Sequence, residues 1–247
     1  MFLSILKLNV TNHLMRKNIL ITGIPKSGKS TLLKKIIQKF DHKVGFVTHE
    51  VRKDGERVGF EIETSGGRKS MIAHIDFKTD LKVSKYAVDI NNLDILIPRI
   101  ENFQSGDLLF LDEIGQMQLF SDKFKKLVIQ YFDASNTCVA TISKVYDDEF
   151  TKAIKERNDI ILVEITDENR DTVEKYVEAL LKKIEKAKRY CSEPERFTVS
   201  DGIVNIATDH GVRTLKKQGE QWGCNCDFFQ EHSMCSHLMA LEEYSKR

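Results

Sequence analysis

The sequence predicts an α/β fold with a mainly parallel sheet flanked by helices, followed by a small β-rich metal-binding module. Three observations predict it. Short apolar runs alternate with helical periodicities from Asn18 to about Lys188. A glycine-rich loop joins the first run to the first helix, and three cysteines crowd together with histidines near the C-terminus. The 247 residues suffice for one α/β domain and a smaller unit.

The apolar runs are the candidate strands of this sheet, and they cover residues 19–22, 44–48, 108–112, 137–142 and 160–165. Apolar residues at i, i+4 spacing predict three helices, which follow the loop, residue 120 and residue 173. Residues 56–75 break the alternation with two period-2 runs around Gly66-Gly67, so we expect an inserted β-hairpin there.

The overall composition excludes few classes of protein. A hydrophobic content of 41%, a charged content of 30% and a net charge of +1 give no global attraction to nucleic acid or membrane. The apolar start, residues 1–10, is shorter than the roughly 18 residues of a membrane span and lacks the flanks of a signal peptide. Residues 1–16 are therefore interpreted as an N-terminal extension or a mis-annotated start. Cysteines beside histidines indicate metal chemistry in a reducing compartment, so a cytoplasmic location is expected.

The loop after the first predicted strand fits the phosphate-binding pattern G-x-x-x-x-G-K-[ST]. Its glycines let the backbone turn N–H groups inward around an anion, and the following helix adds its positive end. Lys29 would reach β- and γ-phosphate oxygens, and Ser30 would offer a hydroxyl to Mg²⁺. The alternative, a glycine-rich turn that only joins strand to helix, is disfavoured by the flanking elements. The predicted nucleotide-binding residues are Gly23, Ile24, Pro25, Lys26, Ser27, Gly28, Lys29, Ser30 and Thr31.

A second motif lies at the end of the run Leu108–Leu111, where Asp112 should emerge at the carboxyl edge of a buried strand. We expect Asp112 to hold Mg²⁺, and Glu113 to orient or deprotonate an attacking water. A solvated strand end is the alternative for both carboxylates. Beside a phosphate-binding loop, the pair favours hydrolysis.

Three strings, ITGIPKSGKSTL, GFVTHEVRKDGERVGFEIET and LDEIGQMQLFSDKF, resemble a nucleoside-triphosphatase family of thermophilic archaea and bacteria, known in animals as the cancer-related nucleoside-triphosphatase. The resemblance covers about residues 17–183. It implies a RecA/AAA-like P-loop fold and slow hydrolysis of ATP, GTP, CTP and other triphosphates with little base discrimination. Family patterns also include Glu50-Val51-Arg52, which implies Arg52 as a cation near the phosphates, and Asn169-Arg170.

The chain departs from the family pattern at three positions. Lys26 replaces a small residue, Ser30 stands where Thr is frequent, and Gln118 replaces Glu. None of these changes removes a predicted catalytic group. Lys26 could contact the phosphates or point to solvent.

A C-terminal constellation has the spacing Cys224-x-Cys226-x₈-Cys235-x-His237. Three thiols and an imidazole suit tetrahedral structural zinc, Zn²⁺ with no open position for catalysis. The spacing resembles the SWIM zinc finger. Buried cysteines with a chance histidine are the alternative reading, and His232 is the runner-up ligand. The polar, proline-containing segment 191–196 predicts a boundary between a P-loop domain at 17–190 and the zinc module at 197–247.

The partners follow from these assignments. Nucleoside triphosphates (ATP, GTP, CTP, UTP) would bind the loop, and no membrane is expected. Residues 191–247 hold nine acidic and six basic side chains, which weakens a DNA-binding interpretation. A protein partner or an intramolecular lid is preferred, although Arg213, Lys216 and Lys217 keep DNA possible. Two alternatives to hydrolysis stay open: transfer of phosphate to a small molecule or polynucleotide, and a nucleotide-dependent switch.

Overall fold

The computed structural model describes residues 15–219 and 221–245. The prediction for residues 1–14 lies outside this range. The chain divides into a larger compact unit, Asn18–Val177, and a smaller one that joins residues 15–17 to residues from Glu178 onward. The predicted domains divide residues 178–190 differently, and their boundaries stay a prediction.

The larger unit alternates strands and helices in its first and last parts. In chain order its elements are β1 (Asn18–Thr22), α1 (Lys29–Ile37), β2 (Lys43–Lys53), β3 (Glu56–Thr64), β4 (Lys69–His74), β5 (Lys82–Val83), β6 (Tyr86–Val88), α2 (Ile90–Asp94), β7 (Leu108–Ile114), α3 (Asp122–Asp133), β8 (Cys138–Ile142), α4 (Glu149–Lys155), β9 (Ile160–Glu164) and the start of α5 (Val173–Ser192).

These strands form one nine-stranded sheet in the order β5-β6-β4-β3-β2-β7-β8-β1-β9. The five strands from β2 to β9 in this order are parallel. The predicted α/β fold with a parallel sheet is confirmed. The spatial order matters for function because β8 separates β7, which ends in the predicted acidic pair, from β1, which leads into the loop.

The antiparallel half of the sheet is larger than the sequence indicated. The predicted strand 44–48 continues to Lys53 and pairs with β3 through a turn at Asp54 and Gly55, both at positive φ (51° and 82°). Asp-Gly with two positive φ values is the favoured two-residue hairpin turn. Residues 56–75 do form the predicted hairpin, β3 and β4. The hairpin extends the main sheet because β3 also pairs with β2.

Buried apolar stripes hold the helices against this sheet. In α1 the stripe predicted from the sequence is buried: Leu32, Leu33, Ile36 and Ile37. A polar residue fixes the base of β1. Asn18, fully buried, donates from Nδ2 to Phe132 O at 3.0 Å and accepts from Cys138 N at 3.1 Å. Strand β1, which leads into the loop, is thereby tied to its neighbours.

The smaller unit contains the end of α5 and a second sheet. The sheet is antiparallel, in the order β10 (Phe197–Ser200), β11 (Ile203–Thr208), β12 (Gly211–Gln218), β13 (Gln221–Cys224). Helices α6 (Asp227–His232) and α7 (Ser236–Tyr244) follow. Arg16 joins this unit through its Nη2, which lies 2.6 Å from Glu242 Oε1. None of the helices in the described part of the chain is long and apolar enough to cross a membrane.

Candidate active site and metal centre

The loop between β1 and α1 curls tightly, and two glycines permit it. A Cβ on Gly23 would lie 2.6 Å from Ser27 Oγ and 2.7 Å from Ile165 O, so no side chain fits there. Gly28 has φ 105°, which disfavours any L side chain. The backbone that the motif requires is therefore present.

Lys29 is the first residue of α1 and is only 8% exposed. Its ammonium donates to the carbonyl oxygens of Gly23 at 3.1 Å and Ile24 at 3.2 Å. No side chain caps α1, and its first turn holds no acidic residue. The first N–H groups of a helix have no partner within it, so these groups, the positive helix end and a buried ammonium converge where an anion would sit.

Asp112, on β7, is completely buried and accepts two side-chain hydrogen bonds at the same oxygen. Ser30 Oγ donates to Oδ1 at 2.8 Å and Thr141 Oγ1 donates to it at 2.7 Å. Burial raises the pKa of Asp112, and these two hydrogen bonds act in the opposite direction. Oδ2 is buried with no hydrogen-bond partner among the described residues. An orphaned carboxylate oxygen beside a serine hydroxyl is a donor set that fits Mg²⁺.

Glu113 follows Asp112 and lies within electrostatic reach of Lys29. Burial raises the pKa of Glu113, while the Lys29 ammonium lowers it. A raised pKa makes a carboxylate a stronger proton acceptor. The structure thus brings Lys29, Ser30, Asp112 and Glu113 together. Thr141, fully buried on β8, is a member of this site that the sequence reasoning missed.

Other predicted residues lie at the periphery of the loop. Ile24 is 55% exposed, and Pro25, Lys26 and Thr31 are exposed as well. Lys26 and Thr31 line a pocket of about 450 Å³. Lys26 holds φ 67°, a left-handed conformation unusual for a side-chain-bearing residue.

Arg52 lies at the end of β2, near the Asp54-Gly55 turn. Its side chain donates to Glu50 Oε2 at 2.6 Å and to Gly55 O at 3.0 Å. These contacts hold it within its own hairpin, and its role near the phosphates stays a prediction.

The four predicted zinc ligands form one buried cluster in the smaller unit. The ligand atoms of Cys224, Cys226, Cys235 and His237 all lie within 4.8 Å of one another. A tetrahedral zinc with bonds of about 2.3 Å needs sulfur atoms roughly 3.8 Å apart, so the cluster fits the ion.

Local structure explains how residues so close in sequence converge. Cys224 ends β13, Cys226 precedes α6, and Cys235 and His237 lie at the start of α7. Two helix starts therefore face one strand end. The ring of His237 stacks on Tyr190 with centroids 5.8 Å apart. The runner-up ligand His232 lies 3.5 Å from Glu231 and is not in the cluster.

Comparison with known proteins gives two family matches. A family model described as NTPase matches residues 18–178, and one described as SWIM zinc finger matches residues 203–246. Nucleoside-triphosphatase THEP1 of Thermotoga sp. strain RQ2 is 40% identical over 166 residues, which is 66% of this chain and 95% of that protein. The cancer-related nucleoside-triphosphatase homolog of Mus musculus is 28% identical over 177 residues, covering 64% of this chain and 93% of the mouse protein.

Two solved structures share the fold of the larger unit. The crystal structure of THEP1 from Aquifex aeolicus has a TM-score of 0.61 and 34% identity, and covers 67% of this chain and 99% of its own. The solution structure of a human cancer-related nucleoside triphosphatase has a TM-score of 0.59 and 27% identity, with 67% and 97% covered. The NTPase family model ends at residue 178, before the cysteine cluster of the smaller unit.

Proposed function

Because the chain belongs to the nucleoside-triphosphatase family, we propose that it hydrolyses nucleoside 5′-triphosphates in a Mg²⁺-dependent reaction with broad base specificity and slow turnover. Nucleoside-triphosphatase activity follows from the family itself. The observation that carries the Mg²⁺ dependence is the 2.8 Å hydrogen bond that Ser30 Oγ donates to Asp112, beside an unpartnered Asp112 oxygen. This hydrogen bond brings a hydroxyl of the phosphate loop and a carboxylate at the end of β7 together, as two neighbouring ligands for Mg²⁺ would be. Broad base specificity and slow turnover rest on the resemblance to that family.

Each residue then has a definite task. Mg²⁺, when bound, neutralises charge that develops on the β- and γ-phosphate oxygens. Ser30 and Asp112 would hold the ion, and Lys29 with the loop N–H groups would bind the phosphates. Glu113 accepts a proton as a water oxygen bonds to the γ-phosphorus. The bond to the β–γ bridging oxygen breaks, and the diphosphate leaves.

The zinc module is assigned a separate role. Four buried ligands leave no position open for substrate, so we propose that the ion is Zn²⁺ and structural. We also propose that the module binds a protein partner, because residues 191–247 carry nine acidic and six basic side chains, which weakens nucleic-acid binding. Thiols are kept reduced in the cytoplasm, so we propose a cytoplasmic location. All five cysteines are free of disulfide bonds, in keeping with this location.

The direct test is phosphate release from ATP, GTP, CTP and UTP with Mg²⁺ or with EDTA, for wild type and Glu113→Gln. We expect slow release from all four nucleotides and a loss of at least about a hundredfold in the variant, the usual scale for a general base. Lys29→Ala should abolish phosphate-dependent nucleotide binding. Retained turnover in Glu113→Gln would assign the base elsewhere.

Parallel samples distinguish the two alternatives. Formation of the nucleoside diphosphate only when an acceptor is added, with the phosphate bound to that acceptor and none released, would indicate a phosphotransferase. Release that requires single- or double-stranded DNA, or a protein partner, would indicate a switch. Release without any addition supports hydrolysis.

A further inference from the structure

The buried side chain of Gln118 has no role in the site described so far. Gln118 opens the short 3₁₀ turn Gln118–Phe120 between β7 and α3, and it stands where the family pattern has Glu. It is only 5% exposed. A buried amide is costly unless it is hydrogen-bonded, and Nε2 of Gln118 donates to Thr48 Oγ1 at 3.4 Å. The turn that follows the acidic strand end is thereby connected to β2.

Thr48 connects Gln118 to the acidic pair. It is half-buried on β2, which lies beside β7 in the sheet. Its hydroxyl donates to the carbonyl oxygen of Asp112. A hydroxyl can donate one hydrogen bond and accept others, so Thr48 can accept from Gln118 while it donates to Asp112. The carbonyl belongs to the peptide between Asp112 and Glu113, so this chain of hydrogen bonds ends at the backbone from which Glu113 projects.

Gly115 gives Gln118 a second approach to Glu113. A Cβ on this buried glycine would lie 3.2 Å from Gln118 Oε1, and 3.5 and 3.7 Å from Glu113 Cγ and Cδ. The side chains of Gln118 and Glu113 therefore both lie against Gly115. A side chain at position 115 would crowd the amide oxygen and take room from the carboxylate. The amide of Gln118 is thus held close to the predicted base as well as to Thr48.

Thr48 and Thr141 bind different parts of Asp112. Thr141 donates to the carboxylate oxygen Oδ1, the group assigned to Mg²⁺, whereas Thr48 donates to the backbone carbonyl. The two hydroxyls should therefore act on different steps, Thr141 on metal binding and Thr48 on the placement of Glu113. Placement matters for the reaction, because a misplacement of about 1 Å can lower a rate about a hundredfold.

We propose that Thr48 and Gln118 are positioning residues, which hold Glu113 where it accepts a proton from the attacking water. The proposal rests on the proposed function and adds two residues to it. Neither residue belongs to the predicted nucleotide- or metal-binding set, so their loss should lower kcat and leave substrate affinity unchanged. Because they act through Glu113, their effect should disappear when Glu113 is replaced.

A double-mutant cycle on phosphate release from ATP tests this. Thr48→Val replaces the hydroxyl with a methyl of similar volume and should lower kcat about tenfold with KM unchanged. Gln118→Met removes the amide but leaves the hydrogen bond from Thr48 to Asp112, so kcat should fall only about threefold. Thr48→Ser keeps the hydroxyl and should restore kcat.

The decisive comparison is made in the Glu113→Gln background. Neither Thr48→Val nor Gln118→Met should lower the residual turnover of that variant further, because a residue that acts through Glu113 has nothing left to position. Calorimetric titration in the same background should give the same dissociation constant for ATP with Mg²⁺ before and after Thr48→Val. An equal fall in kcat in both backgrounds would overturn the proposal, as would an unchanged kcat or a loss of ATP binding large enough to explain the fall.

Thr79→Val is the matched control. Thr79 is half-buried, and its hydroxyl donates to the carbonyl oxygen of Val88 on β6 at 2.8 Å. The substitution removes the same kind of hydrogen bond from the antiparallel part of the sheet and should leave kcat unchanged. A fall in kcat as large as that of Thr48→Val would mean that any such loss in the sheet lowers turnover, and it would overturn the specific role of Thr48.

Hydrogen exchange separates a failure of this inference from a failure of the proposed function. Amides of residues 113–117 should exchange faster in nucleotide-free Thr48→Val than in wild type, because the Asp112 carbonyl loses its hydrogen bond. A wild-type protein that releases no phosphate refutes the hydrolysis, and faster exchange in the variant would then still support the link from Thr48 to this backbone. Unchanged exchange refutes the link whether or not phosphate is released.

Discussion

Thr141 is expected to control metal affinity through Asp112, although its hydroxyl binds no substrate. Thr141→Val replaces the hydroxyl with a methyl of similar volume. It removes the 2.7 Å hydrogen bond to Asp112 Oδ1 and leaves the 2.8 Å bond from Ser30. Loss of a group that orients a metal ligand typically lowers metal affinity by about 10- to 100-fold. We expect the half-saturating Mg²⁺ concentration for phosphate release to rise by that factor.

The pKa of Asp112 gives this prediction a pH signature. Burial already raises that pKa and the Thr141 hydrogen bond lowers it, so the substitution should raise it further. The carboxyl then protonates at higher pH, and the loss of affinity should be greatest in acid and smaller in alkali. Mn²⁺ binding followed by electron paramagnetic resonance measures affinity without turnover.

Thr141→Ser keeps the hydroxyl and should restore Mg²⁺ affinity. The reasoning is refuted if Thr141→Val lowers the melting temperature but leaves the Mg²⁺ and Mn²⁺ affinities at the wild-type value, because Thr141 would then be a packing residue only.

Three further predictions follow from burial and ligand chemistry. Burial raises the pKa of Glu113, so turnover should fall with decreasing pH above the usual range of a glutamate, and a pH profile lacking this acid limb would contradict its role as base. Burial, aided by Lys17, lowers the pKa of Lys188 from 10.5 to about 8. The charged form is disfavoured in the folded protein, so the free energy of unfolding is reduced in full below pH 8 and not at all above pH 10.5. Lys188→Met should therefore raise the free energy of unfolding by about 2 kcal/mol at pH 7 in denaturant titrations, and this gain should vanish by pH 10.5. Cys224→Ser should release zinc to a chromogenic chelator and lower the melting temperature of the smaller unit, while phosphate release persists; lost release would mean that the metal module supports the active site.

The sequence was sufficient to predict site residues that lie close together in the chain. The loop, the acidic pair and the four clustered ligands each lie within a short stretch, so their geometry follows from one turn, one strand end or two helix starts. Thr141 and Arg170 are different. Only strand pairing brings Thr141 on β8 beside Asp112 on β7, and the family pattern Asn169-Arg170 does not by itself show that Arg170 shares a pocket with Thr31.

Two differences from the sequence prediction have physical causes. Strand β2 extends to Lys53 because Asp54-Gly55 supplies a tight hairpin turn. The sequence analysis ended the strand at residue 48 because residues 49–53 are mostly polar. The charge argument against DNA counted residues 191–247 alone. The smaller unit also includes residues 178–190, with five basic and two acidic side chains, and Arg16 and Lys17, which reverses the sign of its charge. The preference for a protein partner over nucleic acid stays a prediction, and the DNA arm of the phosphate-release assay tests it.

The position of Lys29 gives a reason for the loop to be folded before substrate arrives. A buried ammonium needs compensation, and here the carbonyl oxygens of Gly23 and Ile24 provide it at 3.1 and 3.2 Å. These contacts close the loop on itself. A triphosphate that meets this loop need not order it, so less binding energy is lost to conformational entropy. Lys29→Ala should then do more than remove one charge: it should also loosen the loop, and hydrogen exchange at the amides of Ile24 and of residues 26–28 should become faster in the nucleotide-free variant than in wild type.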